Sequence, residues 1–577
     1  MPDSVLEEKQ TTDRPRAVLA HDIALIGTMM VLAACGLIYE YLLAHYAGRI
    51  IGAVETSIYG MIGIMIVAMG VGAFLAKWID EPFRAFAWLE LSIGFIGGCS
   101  ILIMATMMAL TYTLPIWLQD IYGLHPSMTT DGGVVAILQE ASFLMPFLFG
   151  FILGALIGME IPLIARIRES IHGKHLLHNV GTIYGADYIG AGIGAAIWVS
   201  VCLQLPILVA AISTAAVNAL VGIFFLYRYR ADIDRPMALW LGHGVLVVTL
   251  ILLAIGGGRW THSMNSTLFK DKVEYSKVSP YQHITLTTRI KAKGLPKVMS
   301  LYLNGRLQFS SNDEVIYHGF LTYPPMLASA RHDNILVIGG GDGLAVRDIL
   351  RWQPQGVTLI DLDGAMLDLF SGKDEAAPEA INQSILALNE RALLDKRLQI
   401  IIGDAFLEVE KLISAQQSYD TIIIDLPDPS HPDLNKLYSV YFYQRLRELL
   451  AGDGIIAVQS TSPYHAKKAF LSIGKTLAAA GFITEQYHAN VPTFGEWGWS
   501  MGSKLGDSPL QRIKALDSLP LSAPWMSLAQ IQAAFVFAPG FFKDLDKIEI
   551  NLLGSNIIYQ YHHDAWAGED GIFSINK

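Results

Sequence analysis

The first 260 residues contain seven apolar runs, each long enough to cross the roughly 30 Å hydrocarbon core of a bilayer as a helix. The runs lie near residues 22–46, 51–77, 85–112, 134–165, 183–203, 206–227 and 237–258. The first run is too long for the apolar part of a signal peptide, and a second run follows almost at once. The sequence therefore predicts an N-terminal cytoplasmic tail over residues 1–21 and a transmembrane helical domain over residues 22–260.

Charged residues separate this block from the rest of the chain. Residues 1–260 hold 31 Asp, Glu, Lys and Arg side chains, whereas residues 261–577 hold 62, which is typical of a soluble protein. The net charge of −11 disfavours nucleic acid as a partner. The three cysteines lie inside apolar runs and lack metal-ligand spacing, so neither a disulfide framework nor a zinc site is expected.

Basic residues flanking the runs predict the orientation of the bundle. If the N-terminus is cytoplasmic, the opposite loops between the runs carry a single basic residue, Arg49. The cytoplasmic stretches then carry eleven, which are Lys9, Arg14, Arg16, Lys77, Arg84, Arg166, Arg168, Lys174, Arg228, Arg230 and Arg235. Seven spans from a cytoplasmic N-terminus place the C-terminal block outside the cytoplasm, unless one run is re-entrant or the long run 134–165 contains a break.

Several ionisable side chains fall at membrane depth, where a charge is costly and is often functional. They are Glu40, His45, Glu55, Glu90, Glu140, Glu160 and Asp187. One interpretation is a solute path or a cation site, with Glu160 and Asp187 as the best candidates. The other is that residues near the ends of the runs lie in the membrane interface, while the rest pair with neighbouring helices.

After residue 270 the pattern changes to short alternating strands. Residues 281–286 and 300–306 have this alternation, and Asn304-Gly305 is typical of a tight hairpin turn. We therefore predict a small β-rich subdomain over residues 261–332.

The next segment has the pattern of a doubly wound α/β domain. A continuous apolar strand at 334–338 is followed by a glycine turn at 339–343 and by a helical pattern that begins at Leu344. Strand, glycine turn and helix in this order open a nucleotide-binding unit. We place a Rossmann-like domain over residues 333–505 and a C-terminal extension over residues 506–577.

Acidic residues follow the predicted strands at their carboxyl ends, where parallel sheets bind ligands. Asp361, Asp404 and Asp425 each follow one of the next three apolar strands, and Asp428 lies close behind the last. Asp342 lies inside the glycine turn, where its charge would repel a pyrophosphate. This arrangement disfavours NAD or FAD and favours an adenosine-containing sulfonium ligand.

Residues 271–505 resemble the spermidine synthase (polyamine aminopropyltransferase) family. The matching motifs are Tyr281-Gln282, Asn304-Gly305-Arg306-Leu307-Gln308, Asp313-Glu314, Tyr317-His318, Gly339 to Gly343, Gly403-Asp404-Ala405, Asp425-x-x-Asp428-Pro429, Leu437-Tyr438-Ser439, Phe442-Tyr443 and Val491 to Gly498. The helical block is similar to the membrane-integrated branch of that family. The expected fold is an α-helical multi-pass membrane bundle, then a small β-rich subdomain and a doubly wound Rossmann-like α/β domain.

The resemblance implies transfer of the aminopropyl group of decarboxylated S-adenosylmethionine to putrescine or a similar amine, giving spermidine and methylthioadenosine. An alkyl ammonium has a pKa of about 10, like Lys, and must lose a proton before it attacks carbon. Asp425 matches the family's catalytic acid–base position, and Tyr317 matches a tyrosine that orients the nucleophile. The donor is a co-substrate with its own leaving group, so neither a metal nor a redox cofactor is expected.

Further site residues carry over by motif. The donor side comprises Gln282, Gln308, Gly339, Gly341, Asp342, Asp361 and Asp404. Asp342 would pair with the ammonium of the aminopropyl arm, Asp361 would bind the ribose and Asp404 the adenine amino group. The acceptor side comprises His318, Asp428 and either Tyr487 or its neighbour His488.

The sequence departs from the family pattern at two places near the acceptor side. Gly319 replaces the usual acid after Tyr-His, and the segment 429–433 differs from the usual loop. Both departures bear on the identity and length of the amine more than on the reaction.

Two other functions remain open at this stage. An S-adenosylmethionine-dependent methyltransferase shares the fold, but Asp342 and Asp425 would repel the carboxylate of its donor. Alternatively, the helical block is a polyamine transporter and the soluble domain a degenerate sensor, which would have no need of Asp425.

The resemblance also implies partners and a location. We expect a lipid bilayer and a second copy of the chain, in a homodimer or homotetramer, and no nucleic acid. Because the donor is made in the cytosol, we expect a multi-pass protein of the cell (inner) membrane with a cytoplasmic catalytic domain. That placement conflicts with the count of basic residues.

Overall fold

The structure is a computed structural model that describes residues 3–51, 54–122, 133–172, 179–269, 271–292, 295–521, 523 and 525–566. The chain divides into two compact units, residues 1–272 and 273–577. This division falls later than the expected end of the helical block at residue 260, because the last long helix continues to Leu268.

Within its described residues, the first unit forms seven long helices. These are α1 (Asp3–Ile51), α2 (Val54–Leu75), α3 (Pro82–Tyr122), α4 (Val134–His172), α5 (Asn179–Ser200), α6 (Ile207–Arg228) and α7 (Met237–Leu268). Each contains a stretch that is long and apolar enough to cross a membrane. The predicted runs are thus confirmed as helices, although residues 201–203 follow the end of α5 and Pro206 precedes α6. Residues 52–53 of the second run lie outside the described residues.

Two details of the helices bear on the topology. Residues 3–21, expected as a tail, belong to α1, whose membrane-length stretch begins at Leu19. The run 134–165 contains no break, because α4 stays helical through Pro146 and Pro162. If all seven helices cross a membrane, the two ends of the first unit therefore lie on opposite sides.

Glycines bring pairs of these helices into backbone contact. A Cβ atom built at Gly158 of α4 would overlap the carbonyl oxygen of Met69 on α2. A Cβ atom at Gly190 of α5 would overlap the carbonyl oxygen of Met30 on α1. Small residues at such positions are typical of helices that pack in a membrane.

The second unit begins with a four-stranded sheet in the order β1-β2-β3-β4. Its strands are β1 (Lys272–Val278), β2 (His283–Arg289), β3 (Val298–Leu303) and β4 (Arg306–Ser310). The predicted Asn304-Gly305 turn joins β3 to β4, and both residues have positive φ values of 51° and 79°. Positive φ at both central residues is what a two-residue type I′ hairpin requires. The β-rich sheet is followed by α8 (Glu314–Ala328).

The larger sheet has seven strands in the order β10-β11-β9-β8-β5-β6-β7. The strands are β5 (Asn334–Gly339), β6 (Gly356–Asp361), β7 (Leu398–Ile402), β8 (Tyr419–Asp425), β9 (Leu450–Gln459), β10 (Ile483–Val491) and β11 (Gly495–Ser503). Strands β5 to β9 pair in parallel, whereas β11 runs antiparallel to both β9 and β10. This is the predicted doubly wound arrangement.

Helices cover both faces of this sheet. They are α9 (Leu344–Leu350), α10 (Gly364–Phe370), α11 (Glu379–Leu388), α12 (Ala405–Ser414), α13 (Val440–Leu449), α14 (Lys467–Ala479), α15 (Pro509–Lys514), α16 (Leu528–Ala533) and α17 (Ile557–Trp566). Successive side chains of β5 enter different cores, with Val337 on one face and Leu336 and Ile338 on the other. A strand buried on both faces explains the continuous apolar run in the sequence.

The strand order reverses between β5 and β8, which are neighbours in the sheet. Gly339, the last residue of β5, pairs in register with Asp425, the last residue of β8. In doubly wound sheets the ligand binds outside the carboxyl ends of the strands at such a reversal. The fold therefore places the glycine turn and the predicted catalytic acid side by side.

Candidate active site

The predicted catalytic pair, Asp425 and Tyr317, is in direct contact. The Tyr317 hydroxyl donates a hydrogen bond of 2.8 Å to Asp425 Oδ1. Tyr317 lies in the first turn of α8, and Asp313 anchors that end of the helix. The Asp313 carboxylate accepts hydrogen bonds from the Thr493 backbone N–H and from its hydroxyl, both at 2.7 Å. This contact fixes the tyrosine beside the carboxylate.

The surroundings of Asp425 raise its pKa to about 6. Burial is the largest cause and the charge of Asp342 adds to it, whereas the positive charge of His318 and the hydrogen bond from Tyr317 lower the pKa. An unperturbed Asp has a pKa of about 3.9. Asp425 is thus ionised at neutral pH but is a better proton acceptor than a free carboxylate.

Two glycines let the turn between β5 and α9 approach its neighbours. Gly339 has a φ of 79°, and a Cβ atom there would overlap the carbonyl oxygen of Asp425. A Cβ atom at Gly341 would lie 2.7 Å from Asp361 Oδ2. Asp342, in the same turn, is buried, and its Oδ1 accepts the first backbone N–H of α9 at 2.9 Å.

Asp361 and Gln282 are joined through Asp363, whose backbone N–H donates a hydrogen bond of 2.9 Å to Asp361 Oδ1. The Asp363 carboxylate accepts hydrogen bonds from the Gln282 amide at 2.9 Å and from the Ser279 hydroxyl at 2.7 Å. The pKa of Asp361 is raised to about 6, mainly by burial, and the charges of Asp363 and Asp342 add to the effect. The sequence pattern did not indicate Asp363 or Ser279, which hold the predicted donor-side residues in place.

A buried ion network that was not predicted lies beside Asp342. Arg347 donates hydrogen bonds of 2.8 and 3.0 Å to the two carboxylate oxygens of Glu314. His318 Nδ1 lies 3.0 Å from Glu314 Oε2, and His318 Nε2 lies 4.0 Å from Asp342 Oδ2. All four side chains are buried. Glu314 belongs to the Asp-Glu motif, but its partner Arg347 is far along the chain, so no local pattern identifies the pair.

This network sets the charge of His318. Burial by itself lowers the pKa of His318, but its hydrogen bond to Glu314 and the charges of Asp342 and Glu314 outweigh burial and raise the pKa to about 9. Burial raises the pKa of Glu314, but His318 and Arg347 reverse the effect and lower it to about 2. His318 is therefore a cation at neutral pH. It was predicted to line the acceptor channel, and the structure places it beside Asp342 on the predicted donor side.

Asp428, the predicted acceptor-side acid, lies in the loop after β8. Its Oδ1 accepts a hydrogen bond of 2.7 Å from the Gln459 side chain at the end of β9. Its Oδ2 lies 3.2 Å from His562 Nε2. His562 is buried in α17, within the C-terminal extension. No sequence pattern indicates either partner, since both are distant from Asp428 along the chain.

Two predicted donor-side residues have partners of their own in the structure. Gln308 donates to the carbonyl oxygens of Arg306 and Leu307, at 3.2 and 3.4 Å. Asp404 caps α12 through Oδ1, and its Oδ2 forms an ion pair of 2.6 Å with Lys436. A ligand contact at Asp404 therefore competes with Lys436.

Of the two residues predicted for the end of the acceptor site, Tyr487 has its side chain in the core. Tyr487 is 0% exposed, and its hydroxyl donates to the Phe320 carbonyl at 2.8 Å. Its neighbour His488 contacts Glu496 through Nδ1 and the Val536 carbonyl through Nε2 at 3.0 Å. Alternate residues of a strand face opposite sides, so a shift of one residue in the alignment exchanges a core residue for an outward one.

Gly319, where the family has an acid, lies under a residue of the C-terminal extension. A Cβ atom built at Gly319 would overlap the indole ring of Trp525. The same ring packs edge-to-face on Tyr323, with centroids 6.0 Å apart. Trp525 of the extension therefore occupies the space that a side chain at position 319 would need.

A doubly wound sheet with acids clustered at the strand reversal is typical of a nucleoside-binding α/β domain. Within the described ranges, no three His, Cys, Asp or Glu side chains are grouped to hold a metal ion. Residues 314–512 match the family model of the spermine/spermidine synthase domain. The chain belongs to the polyamine aminopropyltransferase family, because curated members match almost its whole length.

Two such relatives illustrate the match. The polyamine aminopropyltransferase of Shewanella oneidensis is 52% identical over 96% of this chain and 96% of its own length. Polyamine aminopropyltransferase 1 of Streptomyces coelicolor is 34% identical over 94% of each chain. A crystal structure of spermidine synthase in complex with the transition state analogue AdoDATO matches at 24% identity and a TM-score of 0.41, covering 48% of this chain and 88% of that chain.

Proposed function

We propose that this enzyme transfers the aminopropyl group of decarboxylated S-adenosylmethionine to putrescine or a similar diamine. The products are spermidine and methylthioadenosine. The observation that carries the proposal is the Tyr317–Asp425 hydrogen bond at the strand reversal, next to Gly339. A carboxylate with a pKa of about 6 supports the proposal, because a general base works best near its operating pH and a doubly wound sheet holds its ligand at the strand reversal.

The reaction follows from the chemistry of the two substrates. A neutral amine nitrogen attacks the aminopropyl carbon next to the sulfonium, and a C–N bond forms as the C–S bond breaks. The electron pair of the C–S bond returns to sulfur, which leaves as a neutral thioether. The proton lost by the amine goes to the Asp425 carboxylate, whose position Tyr317 fixes.

Charge complementarity assigns the remaining groups. Both substrates bring ammonium groups, and the site offers carboxylates on both sides of Asp425. Asp342 would pair with the ammonium of the donor arm, and Asp428 with the distal ammonium of the acceptor. Asp361 would accept hydrogen bonds from the ribose hydroxyls. The sulfonium is already a leaving group, so the residues present need no metal or redox cofactor for this step.

We also propose that the first unit embeds the enzyme in the cell membrane, with the catalytic domain in the cytoplasm, and that the chain forms a homodimer or homotetramer. Seven membrane-length helices support embedding, and the cytosolic origin of the donor supports the cytoplasmic side. With seven crossings the N-terminus is then outside, against the count of basic residues. Reporter fusions at both termini test this: a cytoplasmic N-terminus with an external C-terminus contradicts the placement.

The function is tested with full-length protein in detergent, by measuring release of methylthioadenosine from decarboxylated S-adenosylmethionine with a panel of amines. We expect amine-dependent release that falls by about 10²- to 10⁴-fold in Asp425→Asn, the usual contribution of a general base. The matched control is Asp433→Asn, because Asp433 lies in the same loop region and its side chain is 84% exposed. No release with any amine, or equal rates in the two variants, contradicts the proposal.

A further inference from the structure

Three polar side chains from different helices meet inside the first unit. Glu90 of α3, Asn218 of α6 and His243 of α7 are each at most 1% exposed. The Asn218 amide donates a hydrogen bond of 2.9 Å to Glu90 Oε2. A Cβ atom built at Gly222 would lie 2.5 Å from His243 Nε2 and 3.2 Å from Glu90 Cβ, so one glycine touches both side chains. We call Glu90, Asn218 and His243 the Glu90 cluster.

The remaining polar atoms of the Glu90 cluster are hydrogen-bond acceptors. His243 Nδ1 lies 2.9 Å from the Leu239 carbonyl oxygen, which can only accept, so Nδ1 carries the proton and Nε2 of the neutral ring is an acceptor. Asn218 uses its NH₂ group on Glu90, which leaves its carbonyl oxygen. Among the described residues, Glu90 Oε1, Asn218 Oδ1 and His243 Nε2 have no hydrogen-bond partner.

A second carboxylate adds to this excess of acceptors. Glu160 of α4 is 1% exposed, and its Oε2 has no hydrogen-bond partner among the described residues. Buried acceptors without donors cost free energy, and two carboxylates in an apolar bundle cost more. The arrangement therefore calls for a donor-rich cation.

We propose that the Glu90 cluster binds the ammonium group of an alkyl amine inside the helical unit. An ammonium carries three donors, a positive charge and no acceptor, which complements one carboxylate, one amide oxygen and one imidazole nitrogen. Hard divalent cations prefer six or more oxygen ligands, which this cluster does not offer. The apolar helices around it suit an alkyl chain. That the amine is a polyamine rests on the proposed function of the second unit.

The test measures binding of radiolabelled putrescine and spermidine to full-length protein in lipid nanodiscs. All proteins carry Asp428→Asn, which weakens amine binding at the active site. We expect residual binding that weakens about tenfold or more when Glu90→Gln is added, because a charge-assisted hydrogen bond is lost. The matched control is Glu140→Gln, which removes an exposed carboxylate of α4 and should leave binding unchanged. Glu90→Asp keeps the charge and should retain most of the affinity.

Two results overturn the proposal. One is the absence of residual binding in Asp428→Asn, and the other is equal affinity in the Glu90→Gln and Glu140→Gln proteins. In either case water, or a proton on Glu90, satisfies the cluster. Aminopropyl transfer by Glu90→Gln with Asp428 intact should equal that of the unmodified enzyme, which shows that the variant is folded. If no protein catalyses aminopropyl transfer but amine binding still depends on Glu90, the proposed function is rejected and the proposed amine site is not.

Discussion

The hydrogen bond from Tyr317 to Asp425 predicts a shift in the pH dependence of the enzyme. At 2.8 Å the phenol stabilises the ionised carboxylate and lowers its pKa against the effect of burial. A hydrogen bond to a charged group contributes about 1.5–3 kcal/mol, and one pKa unit corresponds to about 1.36 kcal/mol. Tyr317→Phe should therefore raise the pKa of Asp425 from about 6 by about one to two units.

The sign of the effect on activity follows from the role of Asp425. A general base works in its ionised form, so kcat/KM falls as the pH drops through its pKa. In Tyr317→Phe the acid limb of the kcat/KM profile should move to higher pH by the same one to two units. At a pH below the limb, kcat/KM should therefore be about 10- to 100-fold lower than that of the unmodified enzyme. The assay is kcat/KM for decarboxylated S-adenosylmethionine at saturating amine, measured across the pH range.

A matched control separates this effect from the loss of any buried phenol. Tyr443 of α13 is fully buried, and its hydroxyl has no hydrogen-bond partner among the described residues. Tyr443→Phe should leave the acid limb in place. An active Tyr317→Phe enzyme whose acid limb matches that of the unmodified protein would refute the assignment of Asp425 as the base that Tyr317 supports.

Three further predictions concern other contacts of the second unit. Arg347→Met leaves buried Glu314 with His318 as its remaining cationic partner and should destabilise the protein by about 3 kcal/mol. An unchanged unfolding temperature contradicts this. His562→Asn should raise the KM for the amine about tenfold, because Asp428 loses one hydrogen bond, and should leave the KM for the donor unchanged. Equal changes in both KM values would contradict a role of His562 at the amine side alone. Gly319→Ala should cost about 1–3 kcal/mol, since the new methyl group meets an indole ring, which differential scanning fluorimetry would detect as a lower unfolding temperature.

The C-terminal extension contributes residues next to the predicted acceptor side. Trp525 covers Gly319, and His562 contacts Asp428. Gly319 is a position where the sequence departs from the family pattern, and Asp428 is expected to bind the amine. The extension is thus placed to influence which amine fits, and a panel of diamines of different length with His562→Asn would measure that influence.

Periodicity in the sequence was sufficient for the elements. Long apolar runs gave the seven helices, and the apolar strands with their glycine turn gave the doubly wound sheet, because both patterns are local. The acids at the strand ends were also identified from the sequence, since each follows its strand directly. Asp425 and Gly339 meet because parallel strands end at the same edge, which is a rule of topology rather than of any one residue.

Register is where the sequence was least informative. Tyr487 and His488 were alternatives for the substrate site, and the structure buries the side chain of Tyr487 in the core. The period of a strand is two, so an uncertainty of one residue decides between core and outward face. Only the pairing of β10 with β11, Tyr487 with Trp499, fixes which side chain points inward.

The sequence by itself determined the class of each unit, the order of the strands' acids and the position of Asp425, the proposed general base, at the end of its strand. The tertiary structure decided which partners the acidic side chains contact. Arg347 with Glu314, His562 with Asp428, and Asn218 with Glu90 join residues that are 33, 134 and 128 positions apart. Hydrogen bonds act over about 3 Å in space but leave no pattern along a chain, so only folding brings such groups together.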